Sequence, residues 1–360
     1  MRWIFVIARN SSFTYKGKAV DIRQVGRELG VRYVLEGSIR RAGNRVRITG
    51  QLIEAGTGRH VWADRFDGDL SDLFELQDRI TESVVGAIEP SLRFAEIERS
   101  QTKPTSSLDA YDLYLRALPP LYTYSEAGFR EAESLLKAAV EKDPSYSDAL
   151  AALADCTGRR TLNGWIADQK EGHRLTCEYA RRAIAADPSN AVALATGAWA
   201  YSVFAGDFDQ ALDLADRALQ IHPNSIQVRS PAAWVYIYGG ESQKGIEQLL
   251  VAQRLSPVDP RTSITRSALA TAYFFAREFE ETVRLGRQVL SEAPSHNVTR
   301  RYLAAALAHL DRIEDAREII ADLLKAQPSS SLSLSRTSKF RHQWMMDLYI
   351  GGLAKAGLPE

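Results

Sequence analysis

Residues 191–223 read AVALATGAWAYSVFAGDFDQALDLADRALQIHP, and this stretch carries the pattern that predicts the fold. It ends on a proline, and similar stretches end on prolines at Pro144, Pro188, Pro223, Pro257, Pro294 and Pro328. Subtracting neighbours gives spacings of 44, 35, 34, 37 and 34 residues. Because proline cannot continue a helix, this period indicates stacked units of two helices, none of which can bury its apolar face alone.

Each predicted unit also carries small residues at fixed distances from its proline. Positions twelve, eight and five residues before the proline are small or apolar, so they lie on one helical face where two helices approach closely. In four of the units, the preceding helix carries an alanine followed three residues later by a tyrosine or leucine. The residues that we predict to pack between helices are Ala198, Tyr201, Ala211, Ala218, Ala233, Tyr236, Ala252, Ala270, Tyr273, Ala304 and Ala316.

This pattern resembles the tetratricopeptide repeat (TPR), whose motif places alanines at the two crossing positions and an aromatic residue three positions after the first. The tryptophan of the strict consensus is absent from the first helices, where its positions are Leu194, Arg229, Arg266 and Arg300. The resemblance implies an all-α superhelix, an α-solenoid of about six helix pairs over residues 108–328.

The chain before this array has a different pattern and predicts a small mixed α/β domain, so the fold class is α+β. Residues 21–29 read as a short helix closed by Gly30, and Ala42-Gly43-Asn44 reads as a hairpin turn. A long amphipathic helix, capped by Asp69 or Ser71, follows the sheet, and Pro90 should kink or restart it. The predicted strands are residues 3–9, 33–41, 45–54 and 60–66.

Residues 6–66, from VIARNSSFTYKG to RHVWADRF, closely resemble the TolB-like (FlgO-like) domain. That domain occurs with TPR units in the non-catalytic half of multidomain bacterial adenylate/guanylate cyclases and CadC-like transcription regulators. The resemblance extends to AYDLYLRAL at 110–118 and to the closing GLAKAGLPE. Because such relatives carry a further strand and helix first, the resemblance implies that the domain at 1–100 lacks them and that the chain is N-terminally truncated.

Two further boundaries follow from composition. The polar, proline-interrupted SQTKPTSS at 100–107 predicts a domain boundary, with the linker at 101–107. The serine-rich SSSLSLSRTS after Pro328 predicts a mobile segment, and residues 340–356 predict a final helix that caps the array. Residues 329–360 therefore form the last predicted region, a mobile segment followed by a capping helix. Pro119-Pro120 should interrupt the first unit, and residues 158–173 should add a surface loop to the second.

Signals of catalysis are absent from the sequence. The chain has no GxxxxGK[ST], HExxH, CxxC or GxSxG, and its six histidines are scattered without ligand spacing. We therefore predict no catalytic residues, no cofactor and no metal, and hence no enzyme. Cys156 and Cys177 fall on adjacent predicted helices, where they could form one disulfide or remain small buried thiols.

Charge and hydropathy limit the partners. Lys plus Arg balance Asp plus Glu at 45 each, and the apolar run from Trp3 to Ala8 is too short to span a membrane or to form the core of a signal peptide. We expect a cytoplasmic protein, whereas the resemblance implies a periplasmic location in longer relatives with a membrane span. Arginines at 40, 41, 45 and 47 could contact phosphates of a nucleic acid. Charged side chains are, however, ordinary on the solvent-exposed face of a sheet, and we expect no nucleic-acid partner.

The function that the sequence predicts is a non-enzymatic scaffold that binds a protein or peptide segment in the TPR groove. In TPR arrays the first helix of each unit lines the concave face, which puts an aromatic stripe there; the same rings could instead pack between helices. Two alternatives are a regulatory part of an adenylate/guanylate cyclase system and a nucleic-acid-associated regulator acting through the basic first domain. The predicted groove residues are Trp199, Trp234, Tyr238, Phe274 and Phe275.

Overall fold

The computed structural model describes residues 20–69, 73–102, 109–255 and 259–360, together with Ile7, Ser12 and Tyr15. Four predicted features lie wholly or mostly outside these residues: the strand at 3–9 apart from Ile7, the alternative cap Ser71, Pro257 and most of the linker. The chain divides into two compact units, Met1–Arg99 and Ser100–Glu360, and each is described by itself.

The first unit contains the short helix that the sequence predicts. Helix α1 (Ile22–Leu29) begins where the Asp21 side chain accepts a hydrogen bond from the backbone N–H of Arg23. It ends at Gly30, whose φ of 64° is left-handed and whose N–H donates to the carbonyl of Gly26. Glycine adopts this conformation without the steric cost that a side chain would add, which explains the helix end.

Three strands follow α1 and form an antiparallel sheet in the order β1-β2-β3. They are β1 (Tyr33–Ala42), β2 (Arg45–Glu54) and β3 (Arg59–Asp69). Alternation on β2 buries Val46 and Leu52 and leaves Arg45 and Arg47 exposed, as the sequence pattern predicts. The described sheet is purely antiparallel, and all but Ile7 of the predicted strand at 3–9 lies outside the described residues.

Helix α2 (Leu73–Thr102) continues through Pro90 instead of restarting there. Its residues Ile88 and Leu92 pack against Leu52 of the sheet. A buried carboxylate fixes the same helix, because Glu96 accepts hydrogen bonds from Arg32 at 2.6 Å and from the Tyr33 hydroxyl at 2.8 Å. Burial alone would raise the pKa of Glu96. The hydrogen bonds and the charge of Arg32 together outweigh burial, so the pKa lies below its usual value.

The second unit is an array of antiparallel helix pairs joined by short connections. In each pair, apolar residues of the two helices face each other and those of the next pair. The pairs are α3 (Ala110–Tyr122) with α4 (Glu126–Lys142), α5 (Ser147–Leu162) with α6 (Gln169–Ala186), α7 (Ala191–Ala200) with α8 (Phe208–Ile221), α9 (Ile226–Tyr238) with α10 (Ser242–Leu255), α11 (Thr262–Phe275) with α12 (Phe279–Glu292), and α13 (Asn297–His309) with α14 (Ile313–Ala326). A π-helical turn at Tyr201–Ala205 continues α7.

The recurring prolines mark the ends of the second helices of these pairs. Helix α4 ends at Lys142, two residues before Pro144, and α8 ends at Ile221, two residues before Pro223. The same two-residue offset holds for α6, α12 and α14, whereas Pro257 after α10 lies outside the described residues. The predicted packing alanines are all 1% exposed or less, and Tyr236 is fully buried, while Tyr201 and Tyr273 are half-buried.

Two predicted interruptions of the array are absorbed by helices. Pro119 and Pro120 lie in the last turn of α3, which ends two residues later, so they close that helix instead of breaking it. Between 158 and 173 we expected a loop, but α5 continues to Leu162 and α6 begins at Gln169. The connection between the two helices is therefore limited to residues 163–168.

The segment after Pro328 is packed, although its composition predicts mobility. Ser331 caps the short helix α15 (Leu332–Ser335) by accepting from the backbone N–H of Leu334. The N–H of Leu332 donates to the carbonyl of Pro359 at 2.7 Å, and the Leu332 side chain is 7% exposed. Helix α16 (Gln343–Lys355) follows and packs on α13, where Gly352 lies against Ala305.

Candidate functional site

The first helices of the pairs form one continuous face of the array, which we call the inner surface. It is the surface on which the sequence places the aromatic stripe. The structure buries all five rings: Trp199, Trp234, Tyr238, Phe274 and Phe275 are between 0% and 7% exposed. The side chains that we expected to contact a partner are therefore part of the core.

The C-terminal segment of the chain covers two of these rings. The Phe340 ring lies edge-on to Tyr238 at 5.2 Å and to Phe275 at 5.1 Å, measured between ring centroids. Trp344 adds a further contact with Phe275 at 6.2 Å. The backbone N–H of Arg341 donates to the carbonyl of Tyr238 at 3.0 Å. The chain thus places its own aromatic side chains where we expected an external peptide.

The other three rings are buried between helices. The Trp199 ring lies beneath the Arg159 guanidinium, with 5.3 Å between the ring centroid and the guanidinium carbon. The Trp234 ring lies edge-on to Tyr238, with 5.3 Å between ring centroids. Phe274 is surrounded by aromatic rings from three helices; these are Phe275, Phe279, Tyr302 and His309. The sequence reveals the apolar character of these positions but not the neighbours that cover them.

A different part of the inner surface remains open as a cavity of about 70 Å³, which we call the inner pocket. It lies where five first helices, α3, α5, α7, α9 and α11, face one another. Its apolar wall includes Tyr122, Val192 and Ile226. The polar side chains that line it are Asp148, Asp155, Arg159, Thr196, Gln227, Ser230, Arg261 and Thr265.

Charges of both signs are held in fixed positions in the inner pocket. Arg159 donates to both carboxylate oxygens of Asp155, with Nε–O distances of 2.9 Å. Asp148 accepts from the Asn190 side chain at 2.7 Å. Both side chains line the cavity, and Asp155 is the more exposed of the two. Periodicity does not identify these residues, since polar positions on an inner helix face resemble solvated ones.

A buried polar network lies behind the inner pocket and joins distant repeats. The Tyr124 ring stacks on the His296 ring with centroids 4.2 Å apart and an angle of 4°. His296 Nδ1 accepts from the backbone N–H of Thr299 at 3.3 Å. Burial, with the nearby charge of Arg159 as the second cause, lowers the pKa of His296 to about 3. His296 is therefore neutral at physiological pH.

The thiols and the acidic side chains give no second site within the part of the chain that the structure describes. Cys156 and Cys177 are both free thiols, and burial raises the pKa of the Cys156 thiol. Among the described residues, no group of three or more His, Cys, Asp or Glu side chains is placed to hold a metal ion. No helix in those residues combines the length and hydropathy that crossing a membrane requires.

The basic hairpin of the first unit carries exposed arginines at positions 40, 41, 45 and 47. Arg47 pairs with Asp67 through Nε at 2.6 Å, and Asp67 also lies 3.5 Å from Arg65. Arg41 donates to the carbonyl of Gly43. The hydrogen bond from Arg47 lowers the pKa of Asp67, so this carboxylate stays ionised and compensates part of the hairpin charge.

Comparison with known proteins gives one curated relative at substantial identity. The chain is 42% identical over 186 residues to a protein of Rhizobium meliloti (strain 1021) named putative adenylate cyclase 3. The match covers 52% of this chain and 32% of that protein, so the chain spans about a third of the relative's length. No family model matches the chain.

Solved structures resemble the array. The human IFIT1 dimer with m7Gppp-AAAA has a TM-score of 0.52 at 16% identity, covering 64% of this chain and 53% of that one. A monomeric IFIT1 mutant with Gppp-AAAA has a TM-score of 0.52 at 14% identity, covering 74% and 59%. A thermophilic TPR protein from Thermus thermophilus has a TM-score of 0.41 at 21% identity, covering 55% and 98%. The first two comparisons and the helix pairs described above support an α-solenoid fold for the array.

Proposed function

We propose that this chain is a non-enzymatic interaction scaffold that binds a protein or peptide segment in the inner pocket. The observation that carries the proposal is the pocket itself, where five first helices leave a cavity with an apolar wall and fixed charges of both signs. Solenoids of helix pairs present extended concave surfaces for binding. Apolar walls with a few oriented polar groups are typical of ligand sites.

The chemistry of the inner pocket favours a peptide over a strongly charged ligand. Arg159 is paired with Asp155, and Arg261 Nε lies 3.4 Å from Asp259, so both guanidiniums are largely compensated. The half-exposed Gln227 amide can both donate to and accept from a peptide backbone. Of the aromatic positions that the sequence indicated, Tyr238 and Phe275 become a second contact only if Phe340 leaves them.

A regulatory role in a cyclase system is the second candidate function, and the 42% identity to the Rhizobium meliloti protein favours it. In this version the first unit is a TolB-like domain and the array binds a cyclase or its regulator. The general scaffold and the cyclase regulator would both bind their partner in the inner pocket, and they differ in the identity of that partner. Nucleic acid is a weaker third candidate, because the exposed hairpin arginines are partly compensated by Asp67.

Capture of partners from a bacterial lysate, followed by mass spectrometry, tests the proposal. Gln227→Arg places a long charged side chain in the inner pocket, and we expect it to abolish capture of the specific partner. Gln220→Arg makes the same change at an exposed position of α8 outside the pocket lining, and we expect it to keep the partner. Both variants should retain the helical circular dichroism of the wild type.

The identity of the captured protein separates the two candidates. An adenylate or guanylate cyclase that is lost with Gln227→Arg supports the cyclase version, and another protein lost in the same way supports the general scaffold. Equal capture by wild type, Gln227→Arg and Gln220→Arg contradicts binding in the inner pocket.

A further inference from the structure

A second cavity of about 70 Å³ lies inside the array, where the C-terminal segment crosses α5, α6 and α13. We call it the tail cavity. Its floor contains the buried Ser330 and Tyr238, and its rim contains the exposed Thr337 and Lys339. Among the described residues that line it, Arg301 and Lys339 are cations and no residue is an aspartate or glutamate; burial lowers the pKa of His173, which favours its neutral form. This balance differs from that of the inner pocket, which holds two aspartates.

Arg301 makes only neutral contacts within the described part of the chain. Its Nη2 donates to the carbonyl of Leu162 at 2.8 Å and to the amide oxygen of Gln327 at 2.9 Å. Both acceptors orient the guanidinium without neutralising it, whereas Arg159 has its carboxylate partner. A half-buried cation without a counter-charge is costly, and an anion in the cavity would offset that cost.

Ser330 supplies an independent observation at the same cavity. The residue is 5% exposed, and its hydroxyl has no hydrogen-bond partner among the described residues. A buried hydroxyl without a partner loses the hydrogen bonds that it makes in water. Nearby, the Tyr238 hydroxyl accepts from the Tyr302 hydroxyl at 3.2 Å, which leaves the hydrogen of Tyr238 available for another acceptor. The cavity therefore combines a charged donor with two hydroxyl donors.

We propose that the tail cavity binds an oxyanion, either a phosphate group or a carboxylate, with Arg301 and Ser330 as its principal ligands. Oxyanions accept several hydrogen bonds and match the guanidinium fork, which the cavity can supply from Arg301. A single water needs roughly 10–15 Å³ of cavity volume, so about 70 Å³ holds a group of several non-hydrogen atoms. Lys339 and Thr337 stand at the rim, where a larger molecule carrying the anion would extend. This site is separate from the peptide site of the proposed function.

Titration calorimetry of the full chain with inorganic phosphate, with acetate and with chloride at matched ionic strength tests the proposal. We expect saturable binding of phosphate or acetate, a matching rise in thermal unfolding temperature, and no such effect of chloride. Phosphate alone identifies a phosphate site, and acetate alone identifies a carboxylate site. Binding of neither, or equal stabilisation by chloride, overturns the proposal.

Substitutions locate the bound anion. Arg301→Gln should weaken binding about tenfold or more, because it removes a charged hydrogen-bond donor. Arg300→Gln removes the same charge from the adjacent residue, which donates to Asn297 and does not line the cavity, and it should bind as the wild type does. If both variants bind equally well, the site is elsewhere.

Ser330→Ala distinguishes a ligand role from a structural one. Because the hydroxyl has no partner in the described chain, its removal should leave the unfolding temperature without anion unchanged or raise it. The same change should weaken anion binding severalfold. A variant that is destabilised without anion and binds with unchanged affinity overturns the role of Ser330.

Discussion

His296 shows how far a single residue can depart from its ordinary chemistry in this array. It is 2% exposed, its ring stacks on Tyr124, and its Nδ1 caps the start of α13. In the sequence it is one of six scattered histidines, and no spacing sets it apart. Its environment comes from Tyr124 and Arg159, which are distant in the chain, so the sequence could not predict it.

Because the pKa of His296 falls from an ordinary 6.5 to about 3, we predict a specific loss of stability in acid. Between these values the unfolded chain binds a proton that the folded chain does not, so the free energy of unfolding falls as pH falls from 6.5 towards 3. The slope is at most about 1.4 kcal/mol per pH unit. Over pH 6.5 to 4.5 the loss from this residue should reach about 2 kcal/mol.

His296→Asn tests this prediction, since asparagine also caps helices but does not titrate in this range. Denaturant unfolding at pH 6.5 and 4.5 should show a smaller acid loss for the variant than for the wild type. Other titrating groups act in both proteins and cancel in the difference. An identical pH dependence for the two proteins would contradict the low pKa of His296.

At the scale of elements, helix ends and packing faces could be predicted from the sequence, and the C-terminal segment could not. Prolines and small residues act locally, so their pattern locates the second helices to within a few residues. The serine-rich run at 329–338 has no apolar periodicity and reads as mobile. Its order comes from the cap at Ser331, the hydrogen bond from Leu332 to Pro359 and the ring contacts of Phe340. All but the cap are contacts between residues that lie far apart in the chain.

The packing of α16 on α13 gives a prediction with a control in the same helix. A Cβ atom at Gly352 would lie 2.7 Å from the Ala305 Cβ and 2.9 Å from the Ala305 carbonyl oxygen, so Gly352→Val must push the helices apart. Overpacking of this kind costs about 1–3 kcal/mol. We expect lower stability by denaturant unfolding and faster amide exchange in 336–355.

Gly351→Val makes the same chemical change at the neighbouring position, where an added Cβ meets nothing within 4 Å. It shares the change in helix propensity and lacks the clash, so the difference between the variants measures the contact with Ala305. Equal stability and equal exchange in the two variants would mean that α16 does not depend on this close approach.

At the scale of the whole array, the superhelix brings the second helix pair against the sixth. The backbone N–H of Asn297 donates to the Asn163 side chain at 2.9 Å, and the Asn297 side chain donates to the Asn163 carbonyl at 3.1 Å, across 134 residues. Arg301 adds its bond to Leu162. A repeat pattern specifies contacts between neighbouring units only. Which distant helix pairs meet depends on small rotations between units that accumulate along the array.

This closure predicts that the second and sixth pairs lose stability together. Asn163→Ala removes the acceptor of the buried Asn297 N–H, which should cost about 1–3 kcal/mol. Because the bond joins the two pairs, amide exchange should accelerate both in 159–168 and at the start of α13, whereas a purely local effect would change only the first region. Asn224→Ala, at a half-buried asparagine between α8 and α9, should change neither region. Acceleration confined to 159–168 would show that the array behaves as an open solenoid whose distant pairs are energetically independent.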